Sequence, residues 1–333
     1  MFRNFALAAM LCAALGCNPA ASQVAPATVL EIDLENQVSY NSDVFDVSKF
    51  ATDPNLTTVV AGPRNFGIYV QVTDIVAVNG KPAKGTFVVR GQSINLSPTA
   101  TPGQALADIV RPAAADYLFE IQQADGTQVG SIYAVGLSGG NSPVGAPFDL
   151  SNMAVVGGTG AYLGARGQLG GILYPGVAGG RTASITEDPA NRRKNGGGRI
   201  RGVIHLIPMT RPEIAATASG PAIFHADFSP VTTARPARAG EIVVARATGL
   251  GPTRPGVNPG QPFPVDSQQQ VNSPVEVLVA GRAAEVVNKL GWPGSVDTYR
   301  VDFRIPDGTP PGPATIRLSA AWIAGPEVQI TVQ

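Results

Sequence analysis

Apolar and polar residues alternate in short runs along this chain, and most runs end at a glycine, a proline or an Asn/Asp-Gly pair. A period of two marks strands, because successive side chains point to opposite faces of a sheet. Thr28 to Asp33 is the first such run. Phe66 to Val78 is long enough for one curved strand, Asn79-Gly80 is a strong hairpin turn, and Thr86 to Ser93 returns. Asp116 to Gln122 and Val129 to Val135 flank Asp125-Gly126, a second hairpin. Met153 to Val156 pairs with Arg166 to Leu173, and Arg181 to Thr186 with Arg199 to Ile207 across a polar loop. The total is about eight or nine strands, enough to close a small barrel around one ligand-sized interior.

Residues 213–220 read as a linker of small and polar residues after Pro212. The strands Pro221–Phe228, Glu241–Thr248, Val275–Val279, Ala284–Val287, Thr298–Ile305, Ala314–Ser319 and Val328–Val332 follow, with turn residues at the spacing of a sandwich. The expectation is an all-β chain with a small antiparallel β-barrel over 23–212, a sandwich over 221–333 and no helix beyond about three turns. Proteolysis at the linker is expected to leave two stable fragments.

The stretch Asn152 to Gln168 reads NMAVVGGTGAYLGARGQ. A dinucleotide turn needs a further glycine at a set spacing and then a helix, whose N-terminus holds the pyrophosphate. Leu163 occupies that place, and Gly164, Gly167, Gly170 and Gly171 forbid a helix. A barrel corner fits instead, with Gly157, Gly158 and Gly160 supplying positive φ or close backbone approach.

Val155 to Pro175 resembles the GGTG-x-aromatic-x-x-A-R-G signature of dirigent proteins and the matching stretch of allene oxide cyclases. The two families share an eight-stranded β-barrel, and the resemblance covers about residues 27–210. From about 217 onward, FHADFSPVTTARPARAGEIVVARATGLGPT, VEVLVAGRAAEV and YRVDFRIPDGTPPG resemble an Ig-like C-terminal module frequent in exported proteins of soil acidobacteria.

The chain has 333 residues, with 39 Gly, 29 Pro, 14% charged residues and no net charge. Neutrality, with no basic block beyond Arg192-Arg193-Lys194, argues against a nucleic-acid partner. Arg3, the apolar run Phe5 to Leu15 and the small residues Ala14 and Gly16 make residues 1–22 an export signal, too short to span a membrane. Export to the outside or the periplasm is expected, with no transmembrane span in the mature chain. Cys17 leaves a second branch open, a lipid anchor on the first mature residue. With Cys12 and Cys17 both in the leader, thiol catalysis and a Cys-ligated metal are not expected.

Candidate chemistry is sparse. Glu31 and Asp33 share one face of the first strand. Inside the barrel they would be desolvated carboxylates able to act as acid and base. On the outside they would be solvated, with Leu30, Ile32 and Leu34 within, and the clean alternation favours this. The resemblance to allene oxide cyclases implies a pocket Glu-x-Asn at this place, with Asp33 standing for the Asn. Arg166 matches the signature arginine of dirigent proteins. It would bind a carboxylate or phenolate, or lock the corner through Glu187 or Asp188. Tyr69, Tyr117, Tyr162 and Tyr174 are candidates for lining a pocket. His205 reads as a hydrogen-bonded structural residue, as does His225, and Arg192 to Lys194 as a solvated loop tip. No cofactor and no metal site is expected.

The leading expectation is a barrel that binds a small apolar or phenolic ligand, with the sandwich as an attachment or spacer module. A homo-oligomer through the barrel wall is compatible with it. Two alternatives stand beside it: a cofactor-free cyclase or isomerase, and a structural cell-surface protein with a filled barrel.

Overall fold

The computed structural model describes residues 28–41, 68–93, 113–138, 151–173, 180–184, 187–188, 190–195 and 197–333. The chain is all-β, with a closed eight-stranded antiparallel barrel and additional separate sheets. The barrel region contains β1 (Thr28–Asn41), β2 (Ile68–Val78), β3 (Lys81–Ser93), β4 (Ala113–Gln123), β5 (Gln128–Ser138), β6 (Ser151–Gly160), β7 (Arg166–Leu173), β8 (Arg181–Ser184) and β9 (Gly198–Ile207). The ladder runs β2-β3-β4-β5-β6-β7-β9-β1, and β1 pairs back onto β2 to close it. One short helix, α1 (Asn191–Lys194), is present among the described residues. No helix among them is long and apolar enough to cross a membrane.

The hairpin turns fall where the Asn-Gly and Asp-Gly pairs stand. Asn79 (φ 50°) and Gly80 (φ 71°) take the left-handed conformations that a two-residue hairpin requires. Asn79 also accepts the Glu31 N–H on its side-chain oxygen at 2.8 Å, which ties the β2–β3 turn to β1. One pairing differs from expectation. β8 lies parallel to the end of β1, with Val38 opposite Arg181, and does not form a hairpin with β9. β9 pairs with β1 only as far as Gln37, so β8 continues the wall beside the last residues of β1.

The turns at 79–80 and 124–127 and the corner at 161–165 lie at one end of the barrel, here the turn end. The strand ends Asn41, Ile68, Ser93, Ala113, Ser138 and Ser151 lie at the other, here the loop end, and segments 42–67, 94–112 and 139–150 lie outside the described residues.

Beyond β9, one sheet is built around strands Ile242–Thr248, Thr298–Arg304 and Val286–Gly291. A second runs Arg282–Ala284, Val275–Val279, Gly312–Ala320, Ile323–Val332. Val243, Val301 and Phe303 of the first share one core with Val277, Ile316 and Ile330 of the second. The segment expected as a linker is itself paired. Glu213 and Ile214 add to strand Ile242–Thr248, and Ala216–Thr217 pairs with Gly220–Pro221.

The hairpin turn Ala321-Trp322, both residues at positive φ, reaches the turn end of the barrel. Ala321 and Ile323, each 1% exposed, belong to the barrel's core cluster, and Trp322 packs against it. The Tyr162 hydroxyl points at the Ala321 carbonyl, 3.5 Å away. The two parts of the chain therefore share apolar surface, which opposes the expectation of two independent fragments.

Candidate functional site

Alternation along β1 and β9 turns Leu30, Ile32, Leu34, Ile200, Ile204 and Leu206 inward, and all are buried. Phe87 and Phe119, opposite one another on the neighbouring strands β3 and β4, stack inside the barrel with centroids 4.3 Å apart. The middle of the barrel is therefore packed with side chains. Glu31 and Asp33 lie on the outer wall, where Arg201 bridges them at 2.8 and 2.7 Å. Arg201 stands directly opposite Asp33 in the ladder, so this is a cross-strand charge pair. Neither carboxylate reaches the interior, and the acid–base pair conceived for it is not assembled there.

Arg166 is also outside. Its guanidinium donates to the carbonyls of Ala165 at 2.9 Å and Gly164 at 3.4 Å, bracing the corner, while Glu187 pairs with Arg181 instead. Tyr162 is 1% exposed and plugs the turn end. Burial pushes its hydroxyl pKa far above the ordinary tyrosine value, so it stays neutral. Tyr69 and Tyr117 pack against the core, and Tyr117 meets Phe87 edge to face at 5.4 Å. Tyr174 and Cys17 lie outside the described residues. His205 is exposed on the outer wall, because the inward positions of β9 are its neighbours Ile204 and Leu206. His225 is buried, with Nδ1 2.6 Å from Glu241 and Nε2 3.2 Å from the Arg235 carbonyl, a structural role. Among the described residues no three His, Cys, Asp or Glu side chains gather as a metal site would require.

A cavity of about 430 Å³ opens at the loop end against β3, β4 and β5. It exists because small residues, Gly91, Ala114, Ala115 and Gly136, follow one another across three strands. Tyr69 lies over Gly91, where any Cβ would strike its ring. Arg90 and Asp116, which also line the cavity, form an ion pair. The Asp116 carboxylate, through its hydrogen bond and charge, raises the Arg90 pKa, so the guanidinium is a permanent cation at the cavity edge. Sequence reasoning missed this place, since a run of small residues on three adjacent strands becomes visible only once register is known. Separately, on the inner sides of β1 and β2, the Gln37 amide oxygen and the Thr73 hydroxyl are buried without a partner. A bulge between Glu35 and Val38 skews the ladder there.

The loop expected as a solvated tip is docked. Arg192 is buried and donates to Asp74 at 2.5 Å and to the Asn36 carbonyl at 3.0 Å, and Arg193 donates to Asp74 at 2.9 Å. Burial pushes the Asp74 carboxyl up, but hydrogen bonds from Arg193, Arg192 and Asn36 outweigh it and hold its pKa below the ordinary value. A depressed carboxyl pKa stabilises above the unfolded value of about 4, and the gain is lost as pH falls through the folded pKa. Asp74→Asn is expected to cost about 1.5–3 kcal/mol at neutral pH, the range for hydrogen bonds to charged groups. Denaturant titrations at pH 7 and in acid check this, since the deficit should shrink below about pH 4.

Comparison of the chain with protein-family models, with curated proteins and with solved structures finds no match.

Proposed function

We propose that this is an exported bacterial protein whose barrel holds a small apolar or phenolic ligand, without a cofactor, at its loop end. The barrel is read as allene-oxide-cyclase/dirigent-like and the C-terminal sheets as an Ig-like attachment or spacer module. The observation that carries the reading is the cavity of about 430 Å³ beside Arg90. Its volume lies within the range of small-molecule sites. Small residues leave room for a ring, Val135 offers apolar surface, and the Arg90 cation suits a phenolate or carboxylate. The closed barrel and the tight glycine corner support the family reading.

A cofactor-free cyclase has less support, because Glu31 and Asp33 face outward. The structural-protein reading draws on the filled middle of the barrel.

Calorimetric titration of the whole chain with 4-hydroxycinnamate and 4-propylphenol tests the proposal. Saturable binding of at least one is expected. Arg90→Leu should weaken the acid about tenfold, the loss of roughly one charge-assisted hydrogen bond. Ala114→Trp should block both ligands by filling the cavity. Absence of saturable binding, or binding indifferent to both substitutions, leaves the structural reading in possession.

A further inference from the structure

A second cavity, of about 390 Å³, lies at the opposite end, between the outer wall of β4–β6 and the C-terminal sheets. We infer that this cleft is a binding site for a neutral polyhydroxylated ligand of the saccharide class. The inference does not depend on the loop-end site.

The cleft is walled by both parts of the chain. Ser131, Thr159, Glu120 and Gln128 come from the barrel, and Pro252 and Asn272 from the C-terminal part. The second wall is held in place. The Gln123 amide donates to the Asn272 carbonyl, and Lys289 donates to the Ser273 carbonyl at 2.5 Å. Gly251, next to Pro252, lies against Ala161, where an added Cβ would come within 2.8 Å of the Ala161 side chain. A site fixed on both sides loses little freedom when a ligand enters.

The lining chemistry selects the class. The Ser131 and Thr159 hydroxyls sit 2.7 Å apart, and Gln128 donates to Glu120 at 3.0 Å. Each hydroxyl and each amide both donates and accepts, and capacity remains after these internal bonds. Adjacent hydroxyls of a sugar ring have the same dual character. Glu120 is the one charged side chain among the residues that line the cleft, and its carboxylate opposes an anion. Leu118, 38% exposed, with Pro252 offers apolar surface to the C–H face of a ring. A simple phenol carries too few polar groups to match this set.

The test is saturation-transfer NMR and calorimetry of the full chain with maltose, cellobiose and trehalose, and with glucuronate and glucose 6-phosphate as anionic counterparts. At least one neutral sugar should bind saturably, and the anions should bind more weakly or not at all. Ser131→Ala with Thr159→Val should weaken that sugar about tenfold, as losing two neutral hydrogen bonds would. Asn272→Ala, on the other wall, should weaken it as well, with the melting temperature unchanged in both variants. Arg90→Leu should leave sugar binding untouched, which separates this site from the loop-end cavity. Failure of all three neutral sugars to saturate, or affinities unmoved by substitutions on both walls, would overturn the inference.

Discussion

A chain ending at residue 212 should fail to keep the barrel's native stability. The reason lies at the turn end, where Ala321 and Ile323 are 1% exposed within the barrel's own core and Trp322 packs against it. Removing the hairpin uncovers Tyr162, a fully buried side chain. Exposing a large apolar side chain costs about 1.5–3 kcal/mol, and several lose cover together. Against a total of about 5–15 kcal/mol, that is a large fraction. Within the whole chain, Ile323→Ala alone should cost about 2–5 kcal/mol, the range for truncating a buried aliphatic side chain. Tyr162→Phe should be nearly silent, because a 3.5 Å hydroxyl contact is a weak hydrogen bond. Tyr162→Ala should behave like Ile323→Ala. Scanning calorimetry and dye binding to exposed apolar surface check these expectations. A truncated barrel that melts with the full chain and binds no dye would show that the plug is dispensable.

The glycine corner should divide its residues sharply. At Gly158 a Cβ would collide with the Tyr162 carbonyl and lie 2.6 Å from that of Ser131. At Gly160, φ is +61° and a Cβ would lie 2.5 Å from the Val129 carbonyl. Both obstacles are backbone, so relief requires moving strands. A left-handed residue with a Cβ costs about 1–2 kcal/mol before any collision is counted. Gly158→Val and Gly160→Val should each lower the melting temperature markedly, and the pair should leave little folded protein. Gly157→Ala should change stability by less than about 0.5 kcal/mol, since a Cβ there meets only the Arg166 side chain at 3.9 Å. Gly157 therefore supplies neither the positive φ nor the close backbone approach expected of all three glycines. Millimolar NAD or ATP should not raise the melting temperature, because the chain turns at 161–164 into β7 and builds no helix N-terminus to hold phosphate. A clear shift with either nucleotide would contradict the corner reading.

The corner also shows where local pattern reaches its limit. Glycine spacing identifies a tight turn, and the structure adds its use. It sets Tyr162 into the barrel and Ala161 against Gly251, joining the two parts of the chain. The partners of that joint lie some ninety to one hundred and sixty residues downstream, Gly251 in a Pro/Gly-rich loop and Ala321 in a hairpin turn, and neither local pattern names the barrel.

By itself the sequence determines the all-β class, the hairpins at Asn79-Gly80 and Asp125-Gly126, and the inward face of β1. These rest on the two-residue alternation of side chains and on which residues accept positive φ, both properties of a few neighbouring positions. The tertiary structure alone decides that β8 runs parallel to β1, that Arg192 and Arg193 close on Asp74, and that both cavities open where they do. The first two depend on closing the barrel, the loop-end cavity on the register of β3, β4 and β5, and the turn-end cavity on the C-terminal part meeting the barrel wall, so most of them set side by side residues separated by long stretches of chain. A periodic pattern says which face a residue takes, and only closure says what it will meet there.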